Sequence, residues 1–203
     1  MSSELEIEYK NLVTKEEFMK LVHEFNIQQK DMVIQQNYYF DTPSFDIKNQ
    51  KSALRIRRKK GKYELTLKQP VINGNWETNE ELEEDIAQQM IKTGKLPAGE
   101  VKNILINLHI PVDTLSCFGS LTTNRAEIRY LDGLLVFDHS SYLNKEDYEL
   151  EYEVKDRNIG EQHFRELLER FFIPHRATEN KVVRFYREYK KSRSASSNLH
   201  AND

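Results

Sequence analysis

The chain has 203 residues, 38% of them hydrophobic and 31% charged, which supports one substantial core and leaves too little length for two. A formal net charge of −3 lacks the basic footprint of a nucleic-acid binder, and no apolar run approaches the roughly 20 residues needed to span a bilayer. Cys117 is the single cysteine, so an intrachain disulfide and a cysteine metal cluster are both excluded. The pattern predicts one domain over residues 1–190 and a tail, residues 191–203, whose Ser- and Asn-rich composition predicts disorder. The sequence starts directly on a charged segment without a basic-then-apolar leader, and a cytoplasmic protein is the expectation.

In the opening segment Glu4, Glu6, Glu8 and Lys10 alternate with Leu5, Ile7 and Tyr9, so in a strand the charged side chains share one face. Three carboxylates in a row repel one another unless a cation or a substrate neutralises them, and a divalent metal would do so. Thr14 and Glu17 have capping-box spacing, Val13 can staple Phe18, and Phe18, Leu21, Val22 and Phe25 recur at helical spacing. Val33 to Phe40 reads as a strand ending at Asp41-Thr42-Pro43.

Arg55 and Arg57 then alternate with Leu54 and Ile56, and Glu64, Thr66 and Lys68 with Leu65 and Leu67. A two-residue loop at Lys60-Gly61 puts Arg57 opposite Glu64, Arg55 opposite Thr66 and Ala53 opposite Lys68; a three-residue loop would send Glu64 to the other face. Asn73-Gly74 marks a turn, and Thr78 with Glu81 predicts a second capping box. Leu82, Ile86 and Met90 fit one helix face. A further helix is predicted from Pro97, carrying Val101, Ile104, Leu105 and Leu108 as far as Pro111.

Arg125, Glu127 and Arg129 alternate with Ala126 and Ile128. Asp132-Gly133 is a hairpin signal; taken as the loop, it puts Arg129 opposite Val136, Glu127 opposite Asp138 and Arg125 opposite Ser140, so Asp138 joins the charged face. Glu149, Glu151 and Glu153 alternate with Leu150, Tyr152 and Val154. Phe164, Leu167, Leu168 and Phe171 mark a helix, and Lys181 to Tyr189 reads as either a strand or a helix.

Antiparallel strands with a few amphipathic helices predict an α+β fold. A flat sheet would leave the charged faces to water, whereas a closed barrel turns them inward and packs the apolar alternates under the helices. Arg55, Arg57 and Arg125 offer forked donors for phosphate oxygens, and Lys10, Lys68 and Lys181 offer point charges. Hard carboxylate oxygens suit Mg²⁺ or Mn²⁺. Polyphosphate with a divalent ion meets both demands, and without a glycine-rich phosphate loop this is no P-loop enzyme.

Glu6-Ile7-Glu8-Tyr9-Lys10 resembles the ExExK signature of the CYTH superfamily, the triphosphate tunnel metalloenzymes. The resemblance continues through Arg55-Ile56-Arg57, Lys68, Arg125, Asp138, the Glu149 strand and Lys181, and covers Glu4 to about Tyr189. It implies a closed eight-stranded antiparallel barrel whose tunnel binds a triphosphate and divalent metal. It further implies that Arg55, Arg57, Lys68, Arg125 and Lys181 hold phosphates, with Lys10 and Lys68 also among the catalytic residues. Asp138, Glu149 and Glu151 would hold one metal, and Glu6 and Glu8 a second that activates water. Glu151 with Glu153 is the alternative late pair, and Arg184 competes with Lys181. The expected function is a Mg²⁺- or Mn²⁺-dependent triphosphatase acting on a small anionic triphosphate, with no nucleic-acid or membrane partner and an open oligomeric state. A class IV adenylate cyclase ranks second, and a non-catalytic polyphosphate or nucleotide sensor is the alternative outside enzymes.

Overall fold

Eight antiparallel strands close on themselves in a computed structural model that describes residues 1–199, with side chains through Ser192. In chain order the elements are β1 (Ser2–Val13), α1 (Lys15–Glu24), β2 (Val33–Asp41), α2 (Asp46–Asn49), β3 (Ala53–Lys59), β4 (Lys62–Val71), β5 (Gly74–Leu82), α3 (Glu84–Thr93) and α4 (Glu100–Asn107). They continue as β6 (Ser116–Tyr130), β7 (Gly133–Tyr142), β8 (Lys145–Val154), α5 (Arg157–Arg170) and α6 (Lys181–Leu199). Around the barrel the strands run β1-β5-β4-β3-β2-β6-β7-β8 and return to β1. β1 makes the closure: Ser2 to Glu6 pair with β5, and Ile7 to Val13 pair with β8.

Period-two alternation decides what each face meets. The apolar alternates point outward and are covered by helices in two clusters. Phe18 and Leu21 of α1 and Phe164, Leu167 and Leu168 of α5 pack on Ala126, Leu135, Phe137, Leu150 and Tyr152. Met90 of α3 and Val101 and Leu105 of α4 pack on Leu54, Ile56, Leu65 and Leu67. Each fully buried Leu, Ile, Phe or Met side chain contributes about 1.5–3 kcal/mol, so these two layers are what allow the barrel to keep a charged interior. The capping box of α1 is present, and Val13 and Phe18 are both buried.

The Lys60-Gly61 hairpin has the expected register, with Arg57 opposite Glu64 and Ala53 opposite Lys68. The β6–β7 hairpin differs. Its loop is Leu131-Asp132, Leu131 having φ 49°, so Tyr130 faces Gly133 and Arg125 stands opposite Asp138 rather than Ser140. Glu127 accordingly faces Val136. The slip moves the partner by two residues, which preserves the face and leaves Asp138 inward.

Four further expectations are corrected. Thr78 and Glu81 cap no helix: both lie in β5, which stays paired with β4 up to Leu82, and α3 starts at Glu84 behind an N-cap, Glu83, that makes no side-chain cap bond. The β4–β5 turn is Ile72-Asn73, with Gly74 already opposite Val71. Leu82 belongs to β5, and the buried face of α3 is Ala87 and Met90, with Ile86 37% exposed. The next helix, α4, begins at Glu100 rather than Pro97, where Glu80 of β5 accepts from the Val101 N–H at 3.0 Å and so serves its free N-terminal donors.

Lys181 to Tyr189 is helical, and α6 continues to Leu199, into the segment whose composition predicts disorder; residues 200–203 lie outside the described residues. Among the described residues, no helix is long and apolar enough to cross a membrane.

Candidate active site

A cavity of about 510 Å³ runs along the barrel interior. Glu6, Glu8, Lys10, Arg55, Arg57, Lys68, Arg125, Asp138, Glu151 and Lys181 all line it. Glu149 shares the inward face of β8 but does not reach the cavity, because Lys181 and Arg184 cover it. Lys181 enters from α6, so a helix supplies a charge that the strands lack.

Most of these charges are already matched. Arg125 forks onto Asp138, Nε to Oδ1 at 2.7 Å and Nη2 to Oδ2 at 2.5 Å, and also donates to Glu151 at 2.7 Å. Lys181 Nζ lies 2.8 Å from Asp138, 2.8 Å from Glu149 and 2.5 Å from Glu151. Arg184 binds Glu149 and, at 2.8 Å, Asp147. On the other side of the cavity Lys68 binds Glu6 and, at 3.1 Å, Glu8. Lys10 donates to Glu8 at 2.7 Å and to Asn180 at 2.6 Å. Both candidates near the C-terminus are therefore in the network: Lys181 faces the cavity and Arg184 stands behind it.

Burial and pairing oppose each other across this set. Burial raises Glu8, but Lys68 and Lys10 outweigh it and hold the carboxyl below the usual range. Glu151 is held well below by Lys181 and Arg125 against its own burial. Burial pushes Glu149 up to about 7 despite Lys181, and pushes Glu153 up to about 7 with only Arg125, 3.8 Å away, to counter it. Burial and then the neighbour Glu8 raise Glu6.

Two cations stand apart. Arg55 reaches Glu77 only at 4.0 Å, and its Nε has no hydrogen-bond partner. Arg57 donates to the neutral Asn37 at 3.2 Å, and burial together with Arg55 and Arg125 lowers its guanidinium to about 10. A guanidinium whose proton is loosened by its own cationic neighbours marks a place where an anion is favoured.

The sequence reading missed several lining residues: Gln35, Asn37, Glu77, Asn79 and Asn180. Glu77 and Asn79 were within reach of it: a turn at Asn73-Gly74 puts Asn79 opposite Lys68, and the observed turn, two residues different in register, keeps both on that face with Lys68 opposite Glu77 and Thr66 opposite Asn79. Gln35 and Asn37 are neutral and carry no charge signal. The donor set fits a hard divalent cation in its chemistry: Glu8 stands directly opposite Glu153, with Glu6 raising the Glu153 carboxyl further. As they stand, ammonium and guanidinium groups hold these oxygens, and no three acidic or His/Cys side chains among the described residues are grouped closely enough to hold an ion.

The chain matches the CYTH domain family over residues 4–186. It is 50% identical over 194 residues to the candidate triphosphatase YjbK of Bacillus subtilis (strain 168), which spans 95% of this chain and 100% of that protein. The crystal structure of a candidate adenylate cyclase from Bacillus halodurans superposes with a TM-score of 0.89 at 44% identity, over 92% of this chain and 100% of that one. A candidate adenylyl cyclase from Hippeastrum, whose structure reveals a dominant triphosphatase activity, shares the fold with a TM-score of 0.77 at 23% identity, over 90% of this chain and 95% of that one.

Proposed function

Because the chain belongs to the CYTH domain family, we propose that it is a divalent-metal-dependent triphosphatase, hydrolysing tripolyphosphate or a small organic triphosphate inside the barrel. The observation that carries this reading is Arg55 with Arg57: inward-facing guanidiniums with no hydrogen-bonded carboxylate, beside Lys10, Lys68, Arg125 and Lys181, which all have one. A triphosphate offers anionic oxygens in the number and planar spacing that guanidinium forks accept.

In this reading Arg55 and Arg57 bind phosphate first. Arg125, Lys68 and Lys181 then turn from their carboxylates toward the incoming oxygens, which frees Glu6, Glu8, Asp138 and Glu151 to take a cation. Glu6 and Glu8 would hold one Mg²⁺ or Mn²⁺, and Asp138 and Glu151 the other, joined by Glu149 once Lys181 leaves it. The chemistry such an ion supplies when bound is neutralisation of phosphoryl charge and a lower pKa for water. The chain's own contribution is positioning: once Arg125, Lys68 and Lys181 have joined Arg55 and Arg57 on the phosphates, the cations are in place before transfer. Lys10 and Lys68 keep Glu8 ionised, the state in which it can hold a metal.

The name of the Bacillus halodurans relative favours a second reading, in which the 3′-hydroxyl of ATP replaces water and cyclic AMP is the product. One experiment separates the two. Purified protein is incubated with tripolyphosphate, thiamine triphosphate and ATP, with and without Mg²⁺ or Mn²⁺, and phosphate, pyrophosphate and cyclic AMP are measured. Metal-dependent phosphate release supports the triphosphatase. Cyclic AMP with pyrophosphate from ATP would replace it with the cyclase, and binding without turnover would make the protein a sensor.

A further inference from the structure

Past Arg55, where β3 begins, the cavity reaches the space between α2 and α6, and its lining changes to Asp41, Lys48, Lys51, Ser52 and Tyr186. The ring of Tyr186 is already engaged there. Lys48 Nζ lies 4.5 Å and Lys190 Nζ 4.9 Å from its centre, and Phe45 meets it edge-on at 4.3 Å. A ring covered by two ammoniums and a phenyl group is a poor platform for stacking a planar base.

The acidic groups beside α2 are also engaged. Asp41 accepts from the backbone N–H groups of Thr42, Ile47 and Lys48, and Asp46 is bound by the Thr42 hydroxyl. Neither carboxylate makes an ion pair with Lys48 or Lys51, and the Lys51 ammonium makes no hydrogen bond or ion pair among the described residues. These two ammoniums are therefore held by no carboxylate.

The backbone adds an independent observation. Lys51 follows α2 at φ 57°, donating its N–H to the Lys48 carbonyl at 2.8 Å, and Ser52 donates to the Ile47 carbonyl at 3.1 Å. This is the left-handed position after a helix end, which glycine fills at least cost. The turn fixes the Lys51 backbone at the cavity edge.

We propose that Lys48 and Lys51 form an anion subsite beyond the three-phosphate site, taking the fourth phosphate of a linear inorganic polyphosphate. The subsite rests on the triphosphatase reading, because Lys48 and Lys51 line the same cavity as Arg57 and Arg55. A neutral sugar or base after the third phosphate gains nothing from two ammoniums, whereas another phosphate does.

The test compares kcat/KM for tripolyphosphate and tetrapolyphosphate in the intact protein with Mg²⁺. The expected ratio favours tetrapolyphosphate by about fivefold or more, the scale of one or two exposed charge pairs. It falls toward one in Lys51→Gly and further in Lys48→Gln/Lys51→Gly. Lys51→Gly suits the backbone, so loss of folding does not confuse the result. Lys60→Gly is the matched control: Lys60 also has positive φ, 51°, but sits in the β3–β4 turn outside the cavity, and there the ratio stays at its original value. A ratio at or below one in the unaltered protein, or one that Lys51→Gly leaves unchanged, overturns the subsite while the triphosphatase stands. Hydrolysis of neither substrate overturns both.

Discussion

Gly119 of β6 and Phe185 of α6 are in direct contact: a Cβ on Gly119 would lie 2.4 Å from Cζ of the Phe185 ring, which is fully buried. This notch seats α6 against the barrel, one turn beyond Lys181. Gly119→Ala should therefore expel the ring, cost about 1–3 kcal/mol of stability and lower activity by shifting Lys181. Chemical denaturation alongside phosphate release measures both, and Phe185→Leu on the Gly119→Ala background should recover part of each. Activity that is unchanged in Gly119→Ala would mean that this contact does not position Lys181.

The second glycine in close contact explains why one hairpin was misread. Asp132-Gly133 has the composition of a two-residue turn, yet Gly133 lies in β7, where a Cβ would meet the Tyr152 ring at 2.6 Å and the Glu153 carbonyl at 2.6 Å. The glycine is required by packing against the neighbouring strand β8, which no local pattern reveals, and Leu131 takes the left-handed turn position instead. The charged faces were legible because alternation survives any even slip, so Asp138 stayed with Arg125. Lys60-Gly61 was legible for the complementary reason: both residues adopt positive φ and nothing presses on the glycine. The helical state of α6 was not legible, since Lys181-Val182-Val183-Arg184-Phe185 suits a strand equally and the seat at Gly119 lies more than sixty residues away. The helix at Pro97 was placed early because its N-terminal partner, Glu80, comes from a distant strand.

Arg57 and Lys59 lie two residues apart on β3 and should behave differently. Arg57→Ala removes a preorganised phosphate donor and should lower kcat/KM roughly 30- to 1000-fold, about 2–4 kcal/mol. Lys59 makes a surface pair with Glu127 at 3.4 Å, both side chains more than a third exposed, so Lys59→Ala should change little. Equal losses from the two would place the phosphates elsewhere in the barrel.

Chelation should abolish turnover, and Mg²⁺ or Mn²⁺ should restore it. Glu8 opposite Glu153, with Glu6 beside them, is a concentration of carboxylate that a polyanion cannot approach without a bridging cation. Full phosphate release in excess EDTA would remove the metal from the mechanism.

Glu8→Gln should eliminate turnover and leave tripolyphosphate bound, because Arg55 and Arg57 on β3 do the holding. Losing a negative charge beside the phosphates should tighten the complex. Calorimetric titration and phosphate release under the same salt and Mg²⁺ conditions read the two effects separately. Binding that disappears with turnover would show that the metal also holds the substrate.

Asn11 is fully buried at the end of the charged strand, where it accepts from the Arg176 N–H at 2.6 Å and donates to the Pro174 carbonyl at 3.1 Å. Asn11→Ala should cost about 1–3 kcal/mol by orphaning those groups. The segment they anchor leads directly into Lys181, so kcat should fall more than the loss of folded protein accounts for. Stability and kcat that fall strictly together would limit Asn11 to a structural part.

The closure at β1 also sets the order in which the barrel can assemble. β1, made before the other seven strands, pairs with β5 through Ser2 to Glu6 and with β8 through Ile7 to Val13, so its second edge waits until residue 154 has been made. Pairing across such a separation is slow, and an exposed strand edge invites pairing with other chains in the meantime. Charged residues are what keep waiting edges apart. Glu8 and Lys10 lie on the half that waits for β8, with Glu4 and Glu6 on the same face just before them, so the side chains assigned to chemistry in the finished barrel also act as gatekeepers of the nascent chain. Replacing them with apolar residues would lower the yield of native protein during synthesis before any effect on catalysis could be seen.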